Sequence, residues 1–164
     1  MTQALKEFRD RALYLDAMVP YALLRQIDAE IVKSLFRRIQ AGEIEAFTSA
    51  LTFDELAYRL LLAVIRDNHP GNPVQNLREN EADLIAAYAP RITAELQKLQ
   101  NFPNLTLVDV DATDVAQMLQ FMGQYHLRPR DALHLAAMHK CACFNLASQD
   151  PDFDHVPAIQ RFII

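Results

Sequence analysis

The chain has 164 residues, of which 51% are apolar and 23% charged, and carries a formal net charge of −5. That balance excludes a disordered segment and fits one domain with a sizeable core. The negative charge argues against a module that grips nucleic acid by bulk basicity, but not against an enzyme whose acidic centre holds cations, because the ions bring positive charge of their own.

The opening ten residues, MTQALKEFRD, contain no apolar h-region, and no apolar run is long enough to cross a bilayer. The only cysteines, Cys141 and Cys143, are one residue apart, poor spacing for a structural disulfide. A cytoplasmic protein with no membrane span is therefore expected.

"RALYL" at 11–15 is a short apolar run ending at Asp16 and reads as a buried strand. Helical pattern resumes at 21–26. It returns at 29–40, where Ile31, Leu35 and Ile39 share a face and Lys33, Arg37 and Arg38 form a solvated one. A second strand is expected at 45–49. A strongly apolar helix follows at 52–67, opened by Thr52 and Glu55 as a capping box and broken by "NHPGNP". A helical pair interrupted near Pro90 covers 74–100, so the section at about 67–104 is helical. "LTLVDV" at 105–110 alternates as a strand, and helices follow at 112–126 and 131–141. A short strand at 144–148 and a last one at 158–164 complete the chain. Four to five short strands alternating with helices imply one α/β domain over 1–164 with a mostly parallel sheet.

In such sheets, ligands bind outside the carboxyl ends of the strands, where the strand order reverses. Asp16 ends the first strand, and Glu55 lies in the first helical turn after the second. Asp131 opens the helix leading to the fourth strand, and Asp150 lies just past that strand. Each has an ordinary structural role available. Asp16 suits a helix cap, Glu55 the capping box, Asp131 a helix dipole after Pro129, and Asp150 a turn before Pro151. Together at one sheet edge they repel one another unless cations neutralise them. Mg²⁺ and Mn²⁺ accept such oxygen ligands, and two ions about 4 Å apart serve phosphodiester hydrolysis.

Arg128 and Arg130 flank the group and suit either substrate phosphates or the acids themselves. His134, His139, Cys141 and Cys143 lack zinc-site spacing and read as packing residues. Three glycines, Gly42, Gly71 and Gly123, cannot build a dinucleotide fingerprint or a P-loop, and no serine sits in a G-x-S-x-G elbow.

Four blocks, "LYLDAMVPYALL", "TSALTFDELAYRLL", "RPRDALHLAAM" and "LASQDPDF", resemble in order and spacing those of PIN-domain ribonucleases, which include the VapC-type toxins. The likeness runs from about Leu13 to Phe162. It implies a three-layer α/β/α fold around a parallel sheet, and Mg²⁺- or Mn²⁺-dependent endonucleolytic cleavage of RNA. It puts the family's acids on Asp16, Glu55, Asp131 and Asp150, as holders of one or two ions that activate the attacking water. Ser148 falls in the family's Ser-x-Asp, and Asp152 on a frequent further acid. A possible toxin role implies an antitoxin protein as partner, and the usual state is a homodimer. One position departs from the pattern: the family commonly has Asn, Ser or Thr two residues after the first aspartate, and Met18 stands there. Pro20 is unusual in the helix start that follows, though tolerated in a first turn. Met18 motivates a second reading, a non-catalytic PIN-like module binding RNA or protein. A metal-dependent phosphatase is a third, which would want an acid at that same position.

Overall fold

The computed structural model describes residues 2–164. Among the described residues, six strands form one sheet: β1 (Gln3–Ala4), β2 (Ala12–Leu15), β3 (Glu45–Ser49), β4 (Leu105–Val108), β5 (Asn145–Ala147) and β6 (Gln160–Ile163). Their order is β1-β6-β5-β2-β3-β4, and every neighbouring pair is parallel. One strand exceeds the four or five expected. It is β1, whose two residues pair with Phe162 and Ile163 and are too few to show a period.

Parallel neighbours need long connections, and seven helices supply them: α1 (Met18–Arg25), α2 (Ala29–Gln40), α3 (Ala50–Asn68), α4 (Pro73–Glu79), α5 (Glu81–Gln100), α6 (Ala112–Tyr125) and α7 (Pro129–Lys140). Successive strand residues point to opposite faces, and that alternation divides the core. Leu13, Leu15, Ala46 and Ala147 pack with Val19, Ile39, Leu56 and Ile92 from α1, α2, α3 and α5. Tyr14, Val108 and Leu146 pack with Phe121, Leu135 and Met138 from α6 and α7. The result is a three-layer α/β/α fold. Because both faces are covered, Leu13-Tyr14-Leu15 is buried continuously and reads as an apolar run rather than an alternation.

Several local expectations change. Helix α1 starts at Met18, three residues earlier than the periodicity suggests. Buried Pro20 falls in its first turn, where a missing N–H removes no intrahelical bond. Helix α3 starts at Ala50 after Ser49, so Thr52 and Glu55 lie inside its first turns and do not form a capping box. Pro90 does not interrupt the pair. It sits within α5, and the break falls at Asn80 (φ −134°, ψ 35°). Pro90 and Ala86, whose carbonyl loses its helical donor, are both exposed, so water can take that bond. Arg38 is not merely solvated; its Nη1 donates to the Phe8 carbonyl at 3.0 Å, tying α2 to the chain before β2. Among the described residues no helix is long and apolar enough to cross a membrane.

Candidate functional site

The strand order reverses between β2 and β5. From β2 the chain proceeds to β3 on one side, whereas β5 continues to β6 on the other. Asp16 leaves the carboxyl end of β2, and Ser148 and Asp150 leave that of β5. The two ends are joined: the Asp16 amide donates to the Ala147 carbonyl at 3.1 Å, and Ser148 Oγ donates to Asp16 Oδ2 at 2.6 Å. The same Oγ accepts the Asp150 amide at 3.0 Å. Asp150 Oδ1 then accepts the Asp152 amide at 2.9 Å, opening a 3₁₀ turn at Pro151–Phe153. Asp150 thus fills its turn role while its other carboxylate oxygen makes no hydrogen bond in this turn.

Arg161, 7% exposed on β6, clamps this loop from below. Its Nε and Nη2 donate to Asp154 Oδ1 and Oδ2 at 2.7 and 2.6 Å, and its Nη1 to the Ser148 carbonyl at 3.2 Å. The guanidinium holds the Asp154 carboxyl down at about 2. The Ser148–Asp154 segment is therefore held by charge-assisted bonds rather than by apolar packing alone.

Asp131 is the third residue of α7, which Pro129 opens and whose Ala132, Leu135, Ala136, Ala137 and Met138 are buried behind it. Burial, and next the Asp150 charge, push the Asp131 carboxyl up to about 6. Its Oδ2 is buried and has no hydrogen-bond partner. A buried acceptor left unpaired beside two other carboxylates is an atom that a cation would satisfy.

Glu55 projects from α3 with only 11% of its side chain exposed. Its Oε1 lies 3.1 Å from Arg130 Nη1, and its Oε2 lies 3.8 Å from His134 Nε2. Burial alone would raise this carboxyl, but His134, then Arg130 and Arg59, hold it below its usual range. His134, 4% exposed on α7, is also 3.1 Å through Nδ1 from the Tyr14 hydroxyl.

Atoms able to ligate a metal ion fall into two groups of three among the described residues, each lying within 4.8 Å of one another: Asp16, Glu55 and His134, and Asp131, Asp150 and Asp152. The four acids expected from the sequence are divided between them, two and two, and the Asp16–Ser148–Asp150 hydrogen bonds bridge the groups. His134, read from the sequence as a packing residue, joins Asp16 and Glu55 in one of these groups. It stands three positions after Asp131, hence on the same side of α7. The spacing to His139 was the wrong comparison. His139 instead packs against Phe121 and Phe144.

Arg128 Nη2 lies 3.5 Å from Asp152 Oδ2, and Arg130 Nη2 lies 3.5 Å from Asp54 Oδ2, so both arginines pair with acids. Beside Glu55 an open cleft of about 560 Å³ is lined by Asp54, Tyr58, Arg59, Leu62 and Arg130. Met18 offers Asp16 no polar support, and the Ser148 hydroxyl supplies it from β5 instead.

A family model of the PIN domain matches residues 13–159. The chain belongs to the PIN domain family. Solved PIN-like structures share the fold at low identity. VapBC2 from Rickettsia felis, bound to a DNA fragment from its promoter, is 11% identical with a TM-score of 0.59; the alignment covers 93% of this chain and 98% of that one. VapC20 from Mycobacterium tuberculosis, a sarcin–ricin loop cleaving toxin, is 15% identical with a TM-score of 0.57, covering 88% and 95%. A toxin–antitoxin complex from Klebsiella pneumoniae is 14% identical with a TM-score of 0.55, covering 90% and 94%. No curated protein matches this PIN domain in sequence.

Proposed function

We propose that this PIN domain is a divalent-metal-dependent endoribonuclease that hydrolyses RNA phosphodiester bonds. The observation that carries this reading is Asp131: a buried, unpartnered carboxylate oxygen facing Asp150 and Asp152, on a carboxyl pushed up to about 6. Removing that cost takes a cation, and the donor set of carboxylate oxygens suits Mg²⁺ or Mn²⁺. Asp16, Asp131 and Asp150 are the principal ligands in this reading, and Glu55 completes the pocket as ligand or as a base orienting water. A bound divalent ion supplies Lewis acidity and a water of lowered pKa.

The chain's own side chains do the rest. Ser148 fixes the Asp16 carboxylate, and Arg161 holds the loop carrying Asp150 and Asp152. Arg128 and Arg130, with side chains 74% and 55% exposed at the rim, are placed to exchange their acidic partners for substrate phosphates. The likeness to VapBC2, VapC20 and a toxin–antitoxin complex supports a toxin of a toxin–antitoxin pair, inhibited by an antitoxin protein. A homodimer acting in the cytoplasm completes the proposal.

Asp16→Asn and Asp131→Asn are each expected to abolish Mn²⁺-dependent RNA cleavage while leaving the circular dichroism spectrum unchanged. Equal cleavage by wild type and both variants would sink the proposal. Met18 favours the non-catalytic alternative, a PIN-like module that binds RNA or protein; absence of Mg²⁺ or Mn²⁺ binding at millimolar concentration would support it.

A further inference from the structure

We infer that His134 is a nitrogen ligand of a divalent-ion position shared with Asp16 and Glu55, one that prefers manganese and later first-row transition ions to magnesium. This rests on the metal-dependent reading above and adds to it a ligand type and an ion preference.

The His134 side chain is only 5% exposed, and its Nε2 is buried with no hydrogen-bond partner. A ring nitrogen of His134 lies within 4.8 Å of a carboxylate oxygen from each of Asp16 and Glu55, and Nε2 is the one that faces Glu55. The 3.8 Å separation from Glu55 Oε2 is too long for a hydrogen bond. It suits two donors of one ion: imidazole nitrogen and carboxylate oxygen bind at about 2.0–2.2 Å each, which sets such donors roughly 3–4 Å apart. Arg130 engages the other oxygen of Glu55, Oε1, and leaves Oε2 facing the imidazole.

The far side of the ring has the hydrogen-bond partner that a ligating imidazole needs. Tyr14, buried on β2, sets its hydroxyl 3.1 Å from Nδ1. When Nδ1–H donates to the phenol oxygen, the Nε2 lone pair is free for an ion held together with the two carboxylates. Ligating histidines are commonly oriented by a hydrogen bond from their second ring nitrogen. Two carboxylates converging on one buried imidazole nitrogen form an arrangement that a cation stabilises. The two groups then differ in kind. Asp131, Asp150 and Asp152 offer oxygen alone, which suits Mg²⁺, whereas an imidazole shifts preference toward transition ions.

Pulsed electron paramagnetic resonance of the full chain loaded with substoichiometric Mn²⁺ tests this. The wild type should show ¹⁴N modulation that changes to a ¹⁵N pattern when histidine alone is ¹⁵N-labelled, a measurement that needs no variant to fold. His134→Gln should lose the modulation and bind Mn²⁺ about tenfold more weakly by calorimetry, with Mg²⁺ binding little changed. Bound Mn²⁺ without nitrogen modulation, or modulation that persists in His134→Gln, overturns the inference and leaves the nuclease proposal standing. A chain that binds no Mn²⁺ at all overturns both.

Discussion

Asp131 ionises with difficulty where it stands: burial, and then the charges of Asp150 and Asp152, push its carboxyl up to about 6. The folded state therefore binds this proton more tightly than the unfolded chain, where the group titrates near 3.8. The resulting stabilisation is complete below pH 3.8 and fades as pH rises through about 6. In chelator at pH 7.5, Asp131→Asn should accordingly melt above the wild type, because it removes an ionised acid from a group of three. The gap should close below pH 3.8, and saturating Mn²⁺ should reverse the order. Differential scanning calorimetry across that range checks it, and a gap independent of pH would refute the electrostatic cause. The positions of Asp16, Asp131 and Asp150 at the sheet edge were legible because each follows a strand end or lies in the opening turn of a helix, while Glu55 stands further inside α3. The division of the four acids into two groups was not legible, nor was the place of His134. Both depend on how far α3 and α7 lean over the ends of β2 and β5, which spacing along the chain does not encode.

At the level of elements, the sequence is clearest where a segment is long and periodic. The extents of α2 and α6 follow the apolar spacing closely. In α6, Asp111 and Asp114 form a capping box, and Lys140 from the end of α7 bridges both acids. Errors concentrate where tertiary burial overrides a local signal. Thr52 resembles an N-cap, yet it is buried within α3, and the strand-to-helix junction moves back to Ser49. Pro90 resembles a breaker, yet packing of Leu84, Ile92 and Leu99 keeps α5 continuous through it. Proline in a helix interior costs about 3 kcal/mol relative to alanine, partly offset by its stiffening of the unfolded chain. Pro90→Ala is thus expected to stabilise the fold by about 2 kcal/mol, raising the melting temperature by roughly 4–8 °C. Divalent-ion binding should not change, since Pro90 lies outside both acid groups. Thermal unfolding with a parallel metal titration decides this, and a loss of stability would show that the proline's φ restriction matters more than the missing bond.

For the whole molecule, the net charge of −5 sets the conditions for meeting RNA. Arg128 and Arg130, beside the acids, are both engaged by carboxylates. If cations occupy the two acid groups, they neutralise carboxylates that hold the arginines, and the local potential becomes less negative. RNA binding, and not only cleavage, should therefore depend on divalent ions. With a hydrolysis-resistant phosphorothioate RNA, filter binding in excess chelator should weaken at least about tenfold, and Mg²⁺ should restore it. Affinity indifferent to chelation would place the RNA surface away from the acids.

The sequence by itself determined the α/β class, the parallel sheet and the carboxylates at its edge. These follow from periods of 2 and 3.6 and from which residues end each strand, all of which are local properties. Only the tertiary structure decided what faces what. The order β1-β6-β5-β2-β3-β4 brings Asp16 beside Ser148 across 132 residues of chain. It also brings Tyr14 to His134 across 120. Contacts at such separations are chosen by the packing of whole layers over a sheet, where a residue's partners depend on strand order and helix placement rather than on its neighbours in sequence.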